Sequence, residues 1–448
     1  MLRSFFAALC LACFAHATAF AQNPGDDPPA VTLFENVRIF DGKNGTLSDS
    51  MNVLVRGNAI ETISKDPIPV DRSASTKLID GGARTLMPGL IDAHWHAMLI
   101  RPTPADSING DVGYNNIAAA DEATDTVMRG FTTVRDVGGP VFGLKRAIDD
   151  GLVMGPRIFP SGAIITITSG HGDFRQLSEL PRVPGKLARM EAIGGSAVAD
   201  SPDEVRLRTR EQLMQGASQI KLTAGGGVSS PFSPIDVSTF TEPELRAAVE
   251  AAENWGTYVA AHAFTSAAIQ RAVAAGVKCI EHGFLMDEET AKLLAEKDVW
   301  LSAQPLPEEM RLGFPVGSIQ RIKADQVWPG IARTYELAKK YKLKTAWGTD
   351  VLFSRALAAK QGAILASLTR WYSPAEALVM ATSTNAQLLA LSGPRNPYPG
   401  KLGVLEEGAL ADLLLVDGNP LENIELIADP ERSFVVIMKN GKIFKNTL

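Results

Sequence analysis

From about Leu86 to Leu391, short apolar runs alternate with amphipathic stretches, the pattern of repeated βα units around a parallel sheet. The runs are Leu86 to His96, Phe131 to Val137, Arg157 to Thr166, Ser218 to Thr223, Thr257 to His262, Lys278 to His282, Val299 to Gln304 and Leu343 to Asp350. Eight such runs over about 300 residues suit an α/β protein built on a (β/α)8 TIM barrel, expected over residues 86–395. Helix starts between the runs are well marked. Ser201-Pro202-Asp203-Glu204 and Ser373-Pro374-Ala375-Glu376 each set an N-cap Ser, a Pro at the first helical position and a Glu at the third, as a capping box does. Thr241 and Glu244 repeat the arrangement.

Residues 31–85 and 396–448 instead carry strand-type alternation, with turn signals at Asp41-Gly42, Arg56-Gly57 and Asn440-Gly441. Neither piece makes a comfortable domain alone. Because the ends of a compact domain lie close together, residues 22–85 and 396–448 are expected to pair as one small β-sandwich; separate ragged extensions are the alternative.

Arg3, the apolar stretch Phe5 to Phe14 and Ala19-Phe20-Ala21 read as a secretory signal peptide over residues 1–21, cleaved after Ala21. The apolar run is shorter than the roughly 20 residues of a spanning helix, so no membrane span is expected after cleavage. The expected location is periplasmic or secreted. Cys279 is then the single cysteine left; without a disulfide, stability rests on packing and bound metal. The full chain of 448 residues is 45% apolar, enough for a large core, and its net charge of −6 offers no basic footprint for nucleic acid.

Of six histidines, His16 falls in the signal, and the rest are His94, His96, His171, His262 and His282. Four of these five lie at the ends of the runs above, where a barrel gathers its chemistry. His94 and His96 are two apart on an extended strand, so both imidazoles face one way and can bind one ion. Lys221, between Ile220 and Leu222, points to the barrel axis by strand alternation. Burial there lowers its pKa, and the neutral amine can add carbon dioxide to become a metal-bridging carbamate. The alternative is a snorkelling lysine paired with Asp350. His262 and His282 end neighbouring strands and present two more imidazoles side by side. Asp350 ends the eighth run, which closes beside the first and so lies near His94 and His96.

This set resembles the amidohydrolase superfamily of the binuclear type: H-x-H on strand one, a carboxylated Lys on strand four, His on strands five and six, and Asp on strand eight. Met87-Pro88-Gly89-Leu90-Ile91-Asp92, Gly403 to Asp417 and Val436 to Phe444 resemble the family's flanking segments. Thr168-Ser169-Gly170-His171-Gly172-Asp173 is similar to the T-G-G-H-G-D segment of zinc-dependent Xaa-Pro dipeptidases, carboxypeptidase-like amidohydrolases and ochratoxin-hydrolysing amidases. Ser169 replaces a Gly, and residues 229–238 carry no Tyr where that group has a partner for the substrate carboxylate. The resemblance implies two divalent ions, zinc being expected although the ligands suit several metals. One ion is implied on His94, His96 and Asp350, the other on His262 and His282, with N6-carboxylated Lys221 bridging both.

Two ions sharing a water lower its pKa from about 15.7 towards neutrality, which implies amide hydrolysis by hydroxide. Asp350 would take the proton and deliver it to the leaving amine, and His171 would donate to the oxyanion or the substrate. The expected substrate is a small molecule, a dipeptide or N-acyl amino acid that releases an apolar or aromatic residue. Arg135 is a candidate partner for the substrate carboxylate; a buried network with Asp136 is its alternative. A cyclic amidase or imidazolonepropionase-like hydrolase would keep the metals but usually has a different strand-three loop, and a non-catalytic metal-binding protein is the remaining class. Homo-oligomers are common among the enzymes resembled, and that assembly is expected here on the same ground.

Overall fold

The computed structural model describes residues 29–73, 76–183 and 185–448; the expected signal segment lies outside them. The strands of the first segment are β1 (Val31–Phe40), β2 (Leu47–Arg56), β3 (Ala59–Ser64), β4 (Thr76–Asp80) and β5 (Thr85–Pro88). Next come β6 (Leu90–Trp95), β7 (Phe131–Asp136), β8 (Arg157–Pro160), β9 (Ile164–Thr166), β10 (Ser196–Val198), β11 (Ile220–Thr223), β12 (Val259–Thr265), β13 (Cys279–Leu285), β14 (Trp300–Ala303) and β15 (Thr345–Trp347). The chain finishes with β16 (Leu413–Val416), β17 (Phe434–Lys439) and β18 (Lys442–Asn446).

Parallel ladders run β6-β7-β8 and β9-β11-β12-β13-β14-β15, with β10 on the outer edge of β9. Three backbone bonds outside these ladders close the circle into the TIM barrel. Ser218 N donates to Pro160 O at 2.8 Å and Gly139 N to Gly162 O at 3.0 Å, which carries the third run from β8 to β9 across a kink. Asp350 N donates to His94 O at 2.9 Å and joins the eighth strand to the first. Helices start where the capping residues stand: Ser373 and Thr241 make reciprocal boxes with Glu376 and Glu244. Ser201 accepts from Glu204 N, but the Glu204 carboxylate turns to Asp200 N instead.

The two chain ends share one sheet, ordered β18-β17-β16-β5-β1-β2-β3, with β4 also on β1. It encloses a core of its own, including Phe34, Val53, Val55, Leu86, Leu413 and Met438. The continuous apolar run from Leu86 to His96 is therefore divided. Its first part is β5, which pairs with β1 and β16 in this sheet, and only β6 enters the barrel. The break falls at Gly89, where an added Cβ would lie 2.1 Å from the Thr132 hydroxyl. Among the described residues no helix is long and apolar enough to cross a membrane.

Sheet and barrel are tied by a buried ion pair. Arg157, at the start of β8, donates from Nε to Asp412 Oδ2 at 2.8 Å and from Nη2 to Asp412 Oδ1 at 3.1 Å. Asp412 Oδ1 also accepts from Asn440 N at 2.6 Å. Replacing Asp412 with Ala leaves the guanidinium buried without its anion, a loss of about 3–5 kcal/mol. Urea unfolding of Asp412→Ala followed by tryptophan fluorescence should show a loss of that size, and a change below about 1 kcal/mol would mean that solvent reaches Arg157.

Candidate active site

At the C-terminal ends of the barrel strands the five described histidines form one continuous arc. Ring centroids are 5.2 Å apart between His96 and His94, 4.9 Å between His94 and His282, 4.6 Å between His282 and His262, and 4.3 Å between His262 and His171. Asp350 faces the arc. His94 Nε2 and His96 Nε2 lie 3.4 and 3.5 Å from its Oδ1, and His94, His282 and Asp350 offer atoms within 4.8 Å of one another. Lys221 rises from β11 into the same space and lines the same cavity.

Each imidazole is anchored through one nitrogen, which decides what the other can do. His94 Nδ1 donates to Glu281 Oε2 at 2.7 Å, and His96 Nδ1 to Gly138 O at 3.0 Å. Both Nε2 atoms are thereby turned towards Asp350. His282 Nδ1 donates to Gln304 Oε1 at 2.7 Å, and His262 donates through Nε2 to Gly226 O at 2.9 Å, freeing its Nδ1. Burial holds His262 and His171 well below the usual histidine range and brings His282 down to about 3. These rings are neutral at working pH, the form that binds a cation.

Burial also lowers Lys221. Its ammonium nitrogen has no hydrogen-bond or ion-pair partner among the described residues, and the expected alternative of a pair with Asp350 is not formed. An amine whose neutral form is favoured by burial and that opens on the cavity without a fixed partner is free to react there, so this atom fits the carbamate chemistry. Burial works against the charge of Asp350, yet the neighbouring His94 and its hydrogen bonds hold the carboxylate well below its ordinary range.

Two backbone positions let these groups meet. His282 has φ 74° and Asp350 φ 51°, left-handed values that cost a non-glycine residue of order 1–3 kcal/mol. At His282 the turn breaks strand alternation, so that Glu281 and His282 both face the interior. At Asp350 it follows Gly348, where a Cβ would stand 2.4 Å from His94 N.

A model of the amidohydrolase family matches residues 85–444. The chain belongs to the amidohydrolase family. It is 30% identical over 389 residues to ochratoxinase of Aspergillus niger, covering 80% of this chain and 75% of the relative. Among solved structures it is similar to an amidohydrolase, with a TM-score of 0.85 and 35% identity over 93% of this chain and 100% of the other. A prolidase complexed with N-methylphosphonate-L-proline superposes with a TM-score of 0.83 and 33% identity, over the same shares.

In this amidohydrolase, His94, His96, His171, Lys221, His262, His282 and Asp350 all line one cavity of about 1200 Å³. Phe174, Phe232, Phe264, Phe284, Phe314 and Trp328 give it much apolar lining. Arg135 is not part of it. The side chain is 0% exposed; Nη2 donates to Glu281 Oε1 and Oε2 at 2.7 and 2.9 Å, and Nε to Ala93 O at 2.6 Å. The expectation that Arg135 binds a substrate carboxylate is corrected on that ground, since its guanidinium is enclosed and already paired. Its partner is also not Asp136, whose carboxylate accepts from Ala97 N and Gly138 N and is pushed up by burial to about 7.

Glu281 and Gln304 escaped the sequence reading. Nothing local marks Glu281, because alternation from His282 sends it to the outer face. Gln304 did carry a signal: it is a polar residue ending an apolar run, the criterion that singled out the histidines. Replacing Arg135 with Met would leave Glu281 buried and unpaired, at a cost of about 3–5 kcal/mol. Arg135→Met should therefore lower the melting temperature; unchanged melting with a raised KM alone would return Arg135 to substrate binding.

Proposed function

We propose that this amidohydrolase cleaves the amide bond of a dipeptide or N-acyl amino acid, releasing an apolar or aromatic residue, with two divalent ions, zinc being expected. The observation that carries this reading is the arc of five buried imidazoles and the unpartnered Lys221 amine around an ionised Asp350. His94, His96 and Asp350 would hold one ion, His262 and His282 the other, and carboxylated Lys221 both. When bound, the ions would supply Lewis acidity, which lowers the pKa of water and polarises a carbonyl.

The chain's own groups carry the rest. Asp350, kept ionised, accepts a proton from water and returns it to the leaving nitrogen, a step needed because an amide anion leaves badly. Ser230 Oγ accepts from Gly172 N at 2.9 Å and sits 3.0 Å from His171 Nδ1. With the serine proton directed to Nδ1, His171 keeps its own on Nε2 and donates it to the oxygen that gains charge. The phenylalanines of the cavity exclude water and favour a substrate with apolar bulk. The names of the relatives, an ochratoxinase and a prolidase, support amide hydrolysis in general. We also read the chain as exported, with cleavage after Ala21, and as a homo-oligomer; N-terminal sequencing and light scattering test these two points.

A panel of dipeptides, N-acyl amino acids and cyclic amides should show turnover of the first two, highest with aromatic residues; turnover confined to cyclic ureas or imidazolones would replace this reading. Asp350→Asn should lose about 10²–10⁴-fold in kcat. Metal analysis of protein purified without added ions should find two equivalents, and chelation should abolish activity until metal and bicarbonate are restored together.

A further inference from the structure

Lys323 is a buried cation that the proposed reaction leaves unused. It projects from the helix Ile319–Val327 and is 5% exposed. Its ammonium donates to Ser233 O at 2.5 Å, Ser230 O at 2.6 Å and Gly227 O at 3.2 Å. An ammonium has three donors and no acceptor, so the three carbonyls saturate it. Among the described residues no carboxylate lies within ion-pair distance, and the charge is balanced by carbonyl dipoles alone.

All three acceptors belong to the loop that follows β11. That loop opens with Ala224-Gly225-Gly226-Gly227, a run whose path no side chain sets and whose conformational freedom is the largest a chain can have. Two imidazoles of the arc nevertheless lean on it. Gly226 O accepts from His262 Nε2, and Ser230 Oγ meets His171 Nδ1. Gly227 backs so closely onto His171 that an added Cβ would lie 2.1 Å from Nδ1. Gly227 N donates to Ser233 Oγ at 3.3 Å, closing the loop on itself.

We infer that Lys323 is a positioning residue for His171: its ammonium gathers the strand-four loop by three carbonyls and so fixes the Ser230 hydroxyl that orients the imidazole. Gln320 and Val327 of the same helix line the cavity, so the clamp also joins the cavity wall to its catalytic floor. The assignment rests on the role of His171 proposed above.

The test is a double-mutant cycle on the metal-loaded enzyme with an N-acyl aromatic amino acid. Lys323→Met should lower kcat by about 10–100-fold with KM changed far less, because the oriented proton acts on the transition state. In a His171→Ala background the same substitution should change kcat by less than about twofold. Ser230→Ala, which keeps the carbonyl held by Lys323, should behave like Lys323→Met in both backgrounds and decides the matter if Lys323→Met does not fold. Losses that multiply with that of His171→Ala, or full activity of Lys323→Met, would overturn the role of Lys323 and leave the amidase intact. Wild-type kcat in His171→Ala would overturn both the role of His171 and that of Lys323.

Discussion

A fully enclosed carboxylate, Glu281, orders the interior of the barrel. Alone it would be intolerable at that depth. Burial works against its charge, but Arg135 prevails and holds the group well below the ordinary glutamate range. The pair draws in neighbours from several strands: Arg135 also donates to Tyr258 OH at 3.3 Å and Ser302 Oγ at 3.2 Å, and Cys279 Sγ donates to Glu281 Oε1 at 3.2 Å. What remains of the carboxylate accepts from His94 and so decides which nitrogen of that ring is free. The direction of the first ring in the arc is thus a consequence of charge compensation one layer below.

Closure of the barrel is the second determinant. The first and eighth strands share no ladder, and side chains reinforce the one backbone bond that joins them. Asn385 Nδ2 donates to Ile91 O at 2.7 Å and Trp347 O at 2.8 Å, while its Oδ1 accepts from Trp347 N at 3.0 Å. Asp92 accepts from His94 N and Thr349 N at 3.0 and 3.1 Å, and from the Thr349 hydroxyl at 2.6 Å. These contacts leave His94 and Asp350 adjacent at the seam, as the facing pair in the site requires.

How much of this was legible in the sequence follows from the range of each force. The eight runs and the histidines near their ends depend on local alternation, which a sequence displays directly. The division of Leu86–His96 does not, because both halves are apolar and the cut is set by Thr132 on the neighbouring strand β7. The direction of Arg135 was readable, but its partner was not, since the left-handed turn at His282 that brings Glu281 inward leaves no mark in residue type. Lys323 is the extreme case. On its helix it reads as one more charge of an amphipathic stretch, and its acceptors lie roughly 90 residues earlier in the chain, as backbone atoms that every residue owns.

The shared sheet carries a consequence for synthesis. β5 is flanked by β1 at once, but its other neighbour, β16, begins at Leu413. At roughly 5–20 residues per second a ribosome takes tens of seconds to deliver that strand. Throughout that interval the nascent chain presents a bare ladder edge of Thr85–Pro88 beside a half-made core. The hydrophobic residues of the first hairpins must therefore be shielded by a chaperone, or stay unfolded, until the last strands emerge to cover them.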